Sequence, residues 1–328
     1  MLKFIRKDNI EMKNKVIILF LLTFVWGWNV LTTDAAGENL DISLSPQYPG
    51  PYDEVVISLS SYTYNLNNSN ISWRLNGVEK LSGRGKTVFS FRVGDIGSKN
   101  NLSIYIATLE GDVLTREITI IPATVDLLWT AETYTPFYYK GRALPTINSK
   151  IKFTAIPHFS NNNNLVYKWS SGSQEFPSVS GLEKSSFTYL TGNFSGQNAV
   201  TVKVESLDGK SVALATANIP NINSEVILYE EDPLYGVLYN RSLGNNFELK
   251  KDRIVIRAEP FYFSSKDLEG IIYKWFMNDN PIKSSTPELP NVLSLVTGGN
   301  SGSTDIGINV LNSQNVFQSA GKEMTISY

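Results

Sequence analysis

The residues of this chain that could do chemistry are few, and most are carboxylates and aromatic rings. The chain of 328 residues contains no cysteine and a single histidine, His158. Without cysteine there is no disulfide, thiolate nucleophile or iron–sulfur ligand, and one histidine excludes sites that need a pair of imidazoles. The densest acidic group is Glu230, Glu231 and Asp232. Such carboxylates could bind Ca²⁺ at a domain junction or take part in glycoside hydrolysis.

The spacing of this acidic group favours neither role. A glycan hydrolase needs two carboxyl groups held a set distance apart in a cleft, and adjacency in sequence does not provide that. Calcium loops place oxygen ligands at alternate positions, and the sequence has no such pattern here. We therefore expect solvated loop charges at Glu230, Glu231 and Asp232, no catalytic residue and no cofactor. A junctional Ca²⁺ is the alternative.

Two aromatic segments are the other candidates for binding, and we expect each to form a loop between the first two strands of its domain. The ligand-binding candidates on them are Tyr134, Phe137, Tyr138, Tyr139, Glu231, Asp232, Tyr235 and Tyr239. Aromatic rings beside proline and a basic residue can stack on sugars or peptides. The alternative is a structural role, in which the rings cover a sheet edge or pack on the neighbouring unit.

His158 is the remaining candidate for acid–base chemistry. It lies in Pro157-His158-Phe159, and the corresponding stretch nearer the C-terminus begins Pro260-Phe261. Because an aromatic residue replaces the histidine within the same chain, we expect a packing position for His158 and not a member of a Ser–His–Asp triad.

The N-terminal segment predicts export. Residues 16–31 read VIILFLLTFVWGWNVL without a charge, and Lys13 and Lys15 precede them. Ala35 closes a small-residue motif, so a signal peptide cleaved after Ala35 is expected. The run is shorter than the roughly 20 residues of a relaxed bilayer span, and an uncleaved anchor is the alternative. The protein would then be secreted or held at the outer face of the cytoplasmic membrane, touching the membrane only through residues 16–31.

The remaining sequence alternates with a period of two, as half-buried strands do. A tryptophan strand recurs three times, at Trp73, Trp169 and Trp275, spaced 96 and 106 residues apart. Each copy is followed by a second apolar strand and a terminal hairpin. The pattern predicts domains at 36–122, 123–221 and 222–328, each close to the usual size of a β-sandwich. The three indoles are expected to fill the gap between sheets.

The repeated segments resemble PKD and bacterial immunoglobulin-like repeats. The resemblance rests on Val166-Tyr167-Lys168-Trp169, Ser186-Phe187-Thr188-Tyr189 and the hairpin that begins Val200-Thr201-Val202. It departs from PKD domains at Trp73-Arg74-Leu75-Asn76-Gly77, where those domains have Trp-Asp-Phe-Gly-Asp-Gly. The resemblance implies an all-β chain of three tandem immunoglobulin-like domains after the N-terminal helix, in an extracellular, surface-displayed protein without a common active site.

These observations together favour a non-catalytic exported protein that acts in adhesion, spacing or surface assembly. The partner would be a surface protein or a glycan. Nucleic acid is not an expected partner, because 29 basic and 31 acidic residues give a net charge of −2 with no basic block. The alternative is a carbohydrate-binding protein that uses the two aromatic segments.

Overall fold

The computed structural model describes residues 40–192, 198–220, 222–284 and 287–328. These ranges contain 24 strands and three short 3-10 helices, with no α-helix among them. The predicted signal or anchor segment, with residues 16–31 and the cleavage position Ala35, lies outside the described residues. Within the described ranges, no helix is long and apolar enough to cross a membrane.

The first unit, called module 1, is a sandwich of a three-stranded and a four-stranded sheet. Its elements are β1 Asp41–Ser45, β2 Glu54–Ser60, a 3-10 helix Leu66–Asn68, β3 Asn70–Leu75, β4 Val78–Arg84, β5 Val88–Arg92, β6 Asn100–Ala107 and β7 Val113–Ile120. The strand orders are β1-β2-β5 and β4-β3-β6-β7, and all neighbours are antiparallel.

Module 2 repeats this arrangement. Its elements are β8 Thr124–Ala131, β9 Lys150–His158, β10 Val166–Ser171, β11 Gln174–Glu175, a 3-10 helix Pro177–Val179, β12 Gly181–Leu182, β13 Ser186–Leu190, β14 Asn198–Glu205 and β15 Val212–Ile219. The orders are β13-β9-β8 and β11-β10-β14-β15, with β12 also paired to β10.

Module 3 has the same two sheets with one extra strand on each. Its elements are β16 Glu225–Asp232, β17 Gly236–Ser242, β18 Asn246–Glu248, β19 Arg253–Phe261, a 3-10 helix Ser265–Gly270, β20 Ile271–Met277, β21 Asn280–Ile282, β22 Val292–Val296, β23 Ser303–Asn312 and β24 Ser319–Ser327. The orders are β17-β16-β19-β22 and β18-β24-β23-β20-β21. The expected class, an all-β chain of tandem immunoglobulin-like sandwiches, is confirmed.

Alternating side chains explain why these segments are strands. In β6 the residues Leu102, Ile104 and Ile106 are buried while their neighbours face outward. One apolar face per strand can be removed from water only by packing two sheets together. Each module therefore has its own apolar core.

The three repeated tryptophans lie at the centres of these cores, each at most 1% exposed. Their indole Nε1 atoms donate hydrogen bonds to the backbone oxygens of Lys86, Lys184 and Pro290, at 2.7, 2.9 and 2.9 Å. Each acceptor lies two residues before the strand that enters the opposite sheet: β5, β13 or β22. The same indole thus fills the core and ties the two sheets together in every module.

The structure differs from two expectations. The acidic residues Glu230, Glu231 and Asp232 end strand β16 and do not form a loop, because the segment expected to be irregular pairs with β17 as a hairpin. His158 is not a packing residue. Its side chain is 41% exposed and its Nε2 lies 3.0 Å from an Asp126 oxygen on the paired strand β8. The equivalent Phe261 is buried because module 2 packs over it.

Candidate functional site

The aromatic segment of module 2 crosses to module 3. It follows β8, and its backbone pairs there: the N–H of Tyr134 donates to the oxygen of Phe263 at 2.7 Å. The N–H of Tyr262 donates back to the oxygen of Tyr134 at 2.7 Å, and Thr133 and Ser264 form a β-bridge. The segment is therefore a structural link between two sandwiches.

Four of the predicted binding residues meet in one aromatic cluster at this junction. The Tyr138 ring stacks on the Tyr239 ring with a centroid separation of 3.7 Å. The Tyr138 ring also meets the buried Tyr229 ring edge-on at 5.6 Å. Phe137 caps Tyr239 edge-on at 5.7 Å, and the Tyr139 hydroxyl lies 3.0 Å from that of Tyr262. The stack covers one face of the Tyr138 ring and one face of the Tyr239 ring, so those two faces are closed to a ligand.

One buried carboxyl group underlies this cluster. Glu259, on β19, is only 7% exposed and accepts a hydrogen bond at 3.0 Å from the hydroxyl of Tyr239. Burial raises the pKa of Glu259 above its usual value. Burial and the nearby Glu259 charge raise the pKa of Tyr239 to about 12. Glu259 was not among the predicted site residues, although a single carboxylate directly before the aromatic run Pro260–Phe263 was a usable signal.

The acidic residues of β16 are held by cations. The Asp232 carboxylate lies 3.3 Å from the Lys251 ammonium group, which is also 3.6 Å from Glu230. Glu231 forms an ion pair with Arg257 at 2.8 Å. Backbone N–H groups beyond β16, with Lys251, lower the pKa of Asp232. In the ranges that the structure covers, no group of three or more metal-ligating side chains comes together. The junctional Ca²⁺ stays an untested prediction.

A buried glutamine completes the junction on its polar side. The Gln318 side chain is 1% exposed, and its Nε2 donates to the Thr146 hydroxyl at 3.1 Å and to the oxygen of Ile147 at 3.0 Å. Its Oε1 accepts from the N–H of Ser264 at 2.9 Å. The Thr146 hydroxyl in turn donates to the oxygen of Tyr262 at 2.9 Å. Modules 2 and 3 are therefore joined by apolar packing and by a satisfied polar network.

Two of the predicted binding residues remain open to solvent. Phe137 is 88% exposed and Tyr235, at the tip of the β16–β17 hairpin, is 77% exposed. These two rings, unlike Tyr138 and Tyr239, present a large surface to an external partner. They are the most exposed of the predicted ligand-binding residues.

A separate groove lies on the outer face of the five-stranded sheet of module 3, with a volume of ≈ 690 Å³. Strands β20, β23 and β24 form its floor and walls, through residues that include Phe276, Gly307, Asn309 and Glu323. This surface was not predicted from the sequence, because its residues lie on three strands and meet only through the sheet register.

No family model matches the chain, and no curated protein matches it. Three similar solved structures are a central fibronectin-III array of RIM-binding protein, fibronectin(III)-like modules of Clostridium thermocellum CbhA, and immunoglobulin domains 1–4 of Sidekick-1. Their identities are 14%, 12% and 8%, with TM-scores of 0.32, 0.28 and 0.21. The matches cover 88%, 55% and 89% of this chain, and 95%, 94% and 75% of those chains. Similarity at this level concerns the sandwich fold alone and assigns no activity.

Proposed function

We propose that this chain is a non-catalytic exported protein, secreted or held at the outer face of the membrane, which acts in adhesion, spacing or surface assembly. Support for export is the uncharged run at residues 16–31 and the small-residue site that ends at Ala35. The expected partner is a surface protein or a glycan, not nucleic acid.

The main support for the spacing role is the extensive contact between modules 2 and 3. Flexible arrays join their domains by short linkers with few contacts across them. Here the Tyr138–Tyr239 stack and the Gln318 network connect the two modules over residues far apart in sequence. A spacer requires a fixed angle between its modules, because a flexible hinge would let the distance between the two ends of the chain vary.

Module 1 is also tied to module 2 through a main-chain hydrogen bond. The N–H of Ala123, in module 2, donates to the oxygen of Pro49, in module 1, at 3.4 Å. The ammonium group of Lys203 lies 5.3 Å from the centre of the Tyr48 ring. This junction has fewer cross-contacts than the next, so we expect it to be the more flexible of the two.

The absence of catalysis is part of the proposal. Glycoside hydrolysis requires two carboxyl groups that face a cleft. The buried carboxyl group at the junction, Glu259, is covered by Tyr239, and the nearby Glu231 is paired with Arg257. These carboxylates are therefore occupied by structural partners.

Carbohydrate binding through the aromatic segments is the second candidate function. The exposed rings of Phe137 and Tyr235 favour it, because each can offer a face to a sugar. Glycan binding that disappears in both Phe137→Ala and Tyr235→Ala would support this role. Binding that survives both substitutions would contradict it.

Export is tested by expressing the full chain in a bacterial host and fractionating the culture. We expect the protein in the medium, or on cells in a form that added protease destroys. N-terminal sequencing then separates a secreted form that begins at residue 36 from an anchored form that keeps residues 16–31. Retention inside the cytoplasm, protected from protease, would refute the proposal.

The spacing role is tested by distances between spin labels. Because the chain has no cysteine, Leu214→Cys in module 2 and Ile272→Cys in module 3 provide two exposed labelling sites. A rigid junction predicts one narrow distance distribution, which broadens when Gln318→Ala is added. A broad distribution in the otherwise native chain would refute a spacing role for this junction.

A further inference from the structure

The groove on module 3 has a glycine at its floor. Ile306, Ile308 and Val310 of β23 point into the core, so Gly307 and Asn309 face outward. The register places Phe276 of β20 and Glu323 of β24 on either side of Gly307 in one row across the sheet. The ring and the carboxylate therefore stand on opposite sides of a position without a side chain.

The width of this gap suits a flat ring. Phe276 and Glu323 are two strand spacings apart, or about 10 Å between backbones. A Cβ built on Gly307 would lie 3.6 Å from the Phe276 Cβ and 3.6 Å from the Glu323 Cγ. Both distances are ordinary van der Waals contacts, so the space above Gly307 is free but narrow. A six-membered sugar ring can enter such a slot with one face against an aromatic side chain.

The polar side chains that line the slot are mainly carboxylates and amides: Asp279, Asp305, Glu323, Asn245, Asn246 and Asn309. Within the described part of the chain, the Glu323 carboxylate and the Asn309 amide have no hydrogen-bond or ion-pair partner. Asp305 accepts a hydrogen bond at 2.7 Å from the Thr325 hydroxyl. Lys274 lies opposite Asn309 in the next row, outside the residues that line the groove. Carboxylates accept hydrogen bonds and amides both accept and donate them, which suits the paired hydroxyl groups of a sugar.

We propose that this groove binds a neutral oligosaccharide, with Phe276 as the stacking ring and Glu323 and Asn309 as the hydrogen-bonding groups. This site is distinct from the aromatic segments at the junction and does not rest on the spacing role. The Phe276 ring and the amides of the lining favour a sugar; because three carboxylates also line the groove, the polylysine probe below tests for a cationic peptide.

The other modules supply an internal comparison. In module 1 the residue that corresponds to Gly307 is Ser103, which pairs with Glu117 on the next strand. A groove of ≈ 660 Å³ lies on the same face of that sheet. In module 2 the equivalent residues are Thr201 and Thr216, whose hydroxyl oxygens lie 2.8 Å apart across the floor. Module 2 therefore offers a matched position where a substitution should leave groove binding unchanged.

The test uses the full chain and three substitutions in the groove. Gly307→Val fills the floor with a side chain that suits a strand, Phe276→Ala removes the stacking ring, and Glu323→Gln removes only the charge. Thr201→Val is the matched control, and far-UV circular dichroism checks that every variant is folded. The probes are an array of neutral and acidic oligosaccharides and a polylysine peptide, followed by calorimetric titration of the neutral oligosaccharide with the strongest signal.

We expect binding to a neutral oligosaccharide, abolished by Gly307→Val and weakened about tenfold by Phe276→Ala. Glu323→Gln should weaken it only a few-fold, because the amide oxygen still accepts a hydrogen bond, and Thr201→Val should have no effect. Three results would overturn the proposal: no glycan binding, binding confined to polylysine and lost in Glu323→Gln, or native affinity in folded Gly307→Val or folded Phe276→Ala. None of them bears on export or on the rigidity of the junction.

Discussion

Replacing Trp275 with phenylalanine should destabilise module 3 by about 3 kcal/mol. The indole ring is 1% exposed, and its Nε1 donates a 2.9 Å hydrogen bond to the oxygen of Pro290. Phenylalanine keeps an aromatic ring in the core but cannot donate this bond. The substitution therefore tests the tie between the two sheets together with part of the packing.

The magnitude has two parts. Pro290 is exposed, so water can reach its oxygen after the substitution and the lost hydrogen bond should cost about 1 kcal/mol. Phenylalanine has three fewer ring atoms than tryptophan, and at about 0.8 kcal/mol per buried carbon group this loss adds about 2 kcal/mol. For a domain of about 100 residues, 1 kcal/mol lowers the melting temperature by about 4–8 °C. The expected decrease for module 3 is thus about 12–24 °C.

Differential scanning calorimetry of the full chain measures this decrease. Trp129→Phe is the matched control, because Trp129 lies half-buried on β8 under the Arg142 guanidinium group, 3.6 Å from its ring centre. Phenylalanine offers the same face to Arg142, so the control should cost less than about 1 kcal/mol. If Trp275→Phe lowers the melting temperature no more than Trp129→Phe does, the Trp275 indole does not stabilise module 3 by linking its two sheets.

Three further predictions concern the junction and its exposed rings. Because burial raises the pKa of Glu259 above 4.5, its ionisation destabilises the folded state as the pH rises through that raised value. Glu259→Gln should therefore raise the melting temperature at pH 7 and leave it unchanged at pH 3; equal effects at both values would contradict this. Gln318→Ala removes the partners of Ser264 and Thr146, should cost at least about 2 kcal/mol, and should separate the calorimetric transitions of modules 2 and 3. A single unshifted transition would argue against a shared junction. Tyr235→Ala, at an exposed hairpin tip, should change stability by less than about 0.5 kcal/mol, and a larger loss in urea unfolding would show that this ring is structural.

The sandwich class and its threefold repetition could be predicted because both depend on local pattern. Period-two alternation marks which face of a strand is buried, and a tryptophan strand marks the middle of each sandwich. The burial of residues such as Leu102, Ile104 and Ile106 can therefore be predicted from the alternating pattern alone. The indole hydrogen bonds were not predicted, since the acceptor lies 13 to 15 residues away and only the folded chain brings it near.

The junction was beyond the reach of pattern analysis because it joins distant parts of the chain. Tyr138 and Tyr239 are 101 residues apart in sequence, and nothing local shows that their rings stack. The same applies to Glu230, Glu231 and Asp232, expected as loop charges. Their cations come from outside β16, such as Arg257 on β19. His158 was misjudged because Phe261, the residue used for comparison, is buried by a neighbouring module and not by its own sandwich.

The outward residues of the sheets are where the three modules differ, and the proposed oligosaccharide site lies among them. On the strand beside each core tryptophan, the inward residues are Ile104, Val202 and Ile308, all fully buried branched aliphatic side chains. The outward residues one position earlier are serine, threonine and glycine. The core constrains the first set, because a change of volume there costs stability. It constrains the second set less, and a Cβ at position 307 would make only ordinary van der Waals contacts with its neighbours. The open floor at Gly307 is the space that the proposed oligosaccharide would occupy.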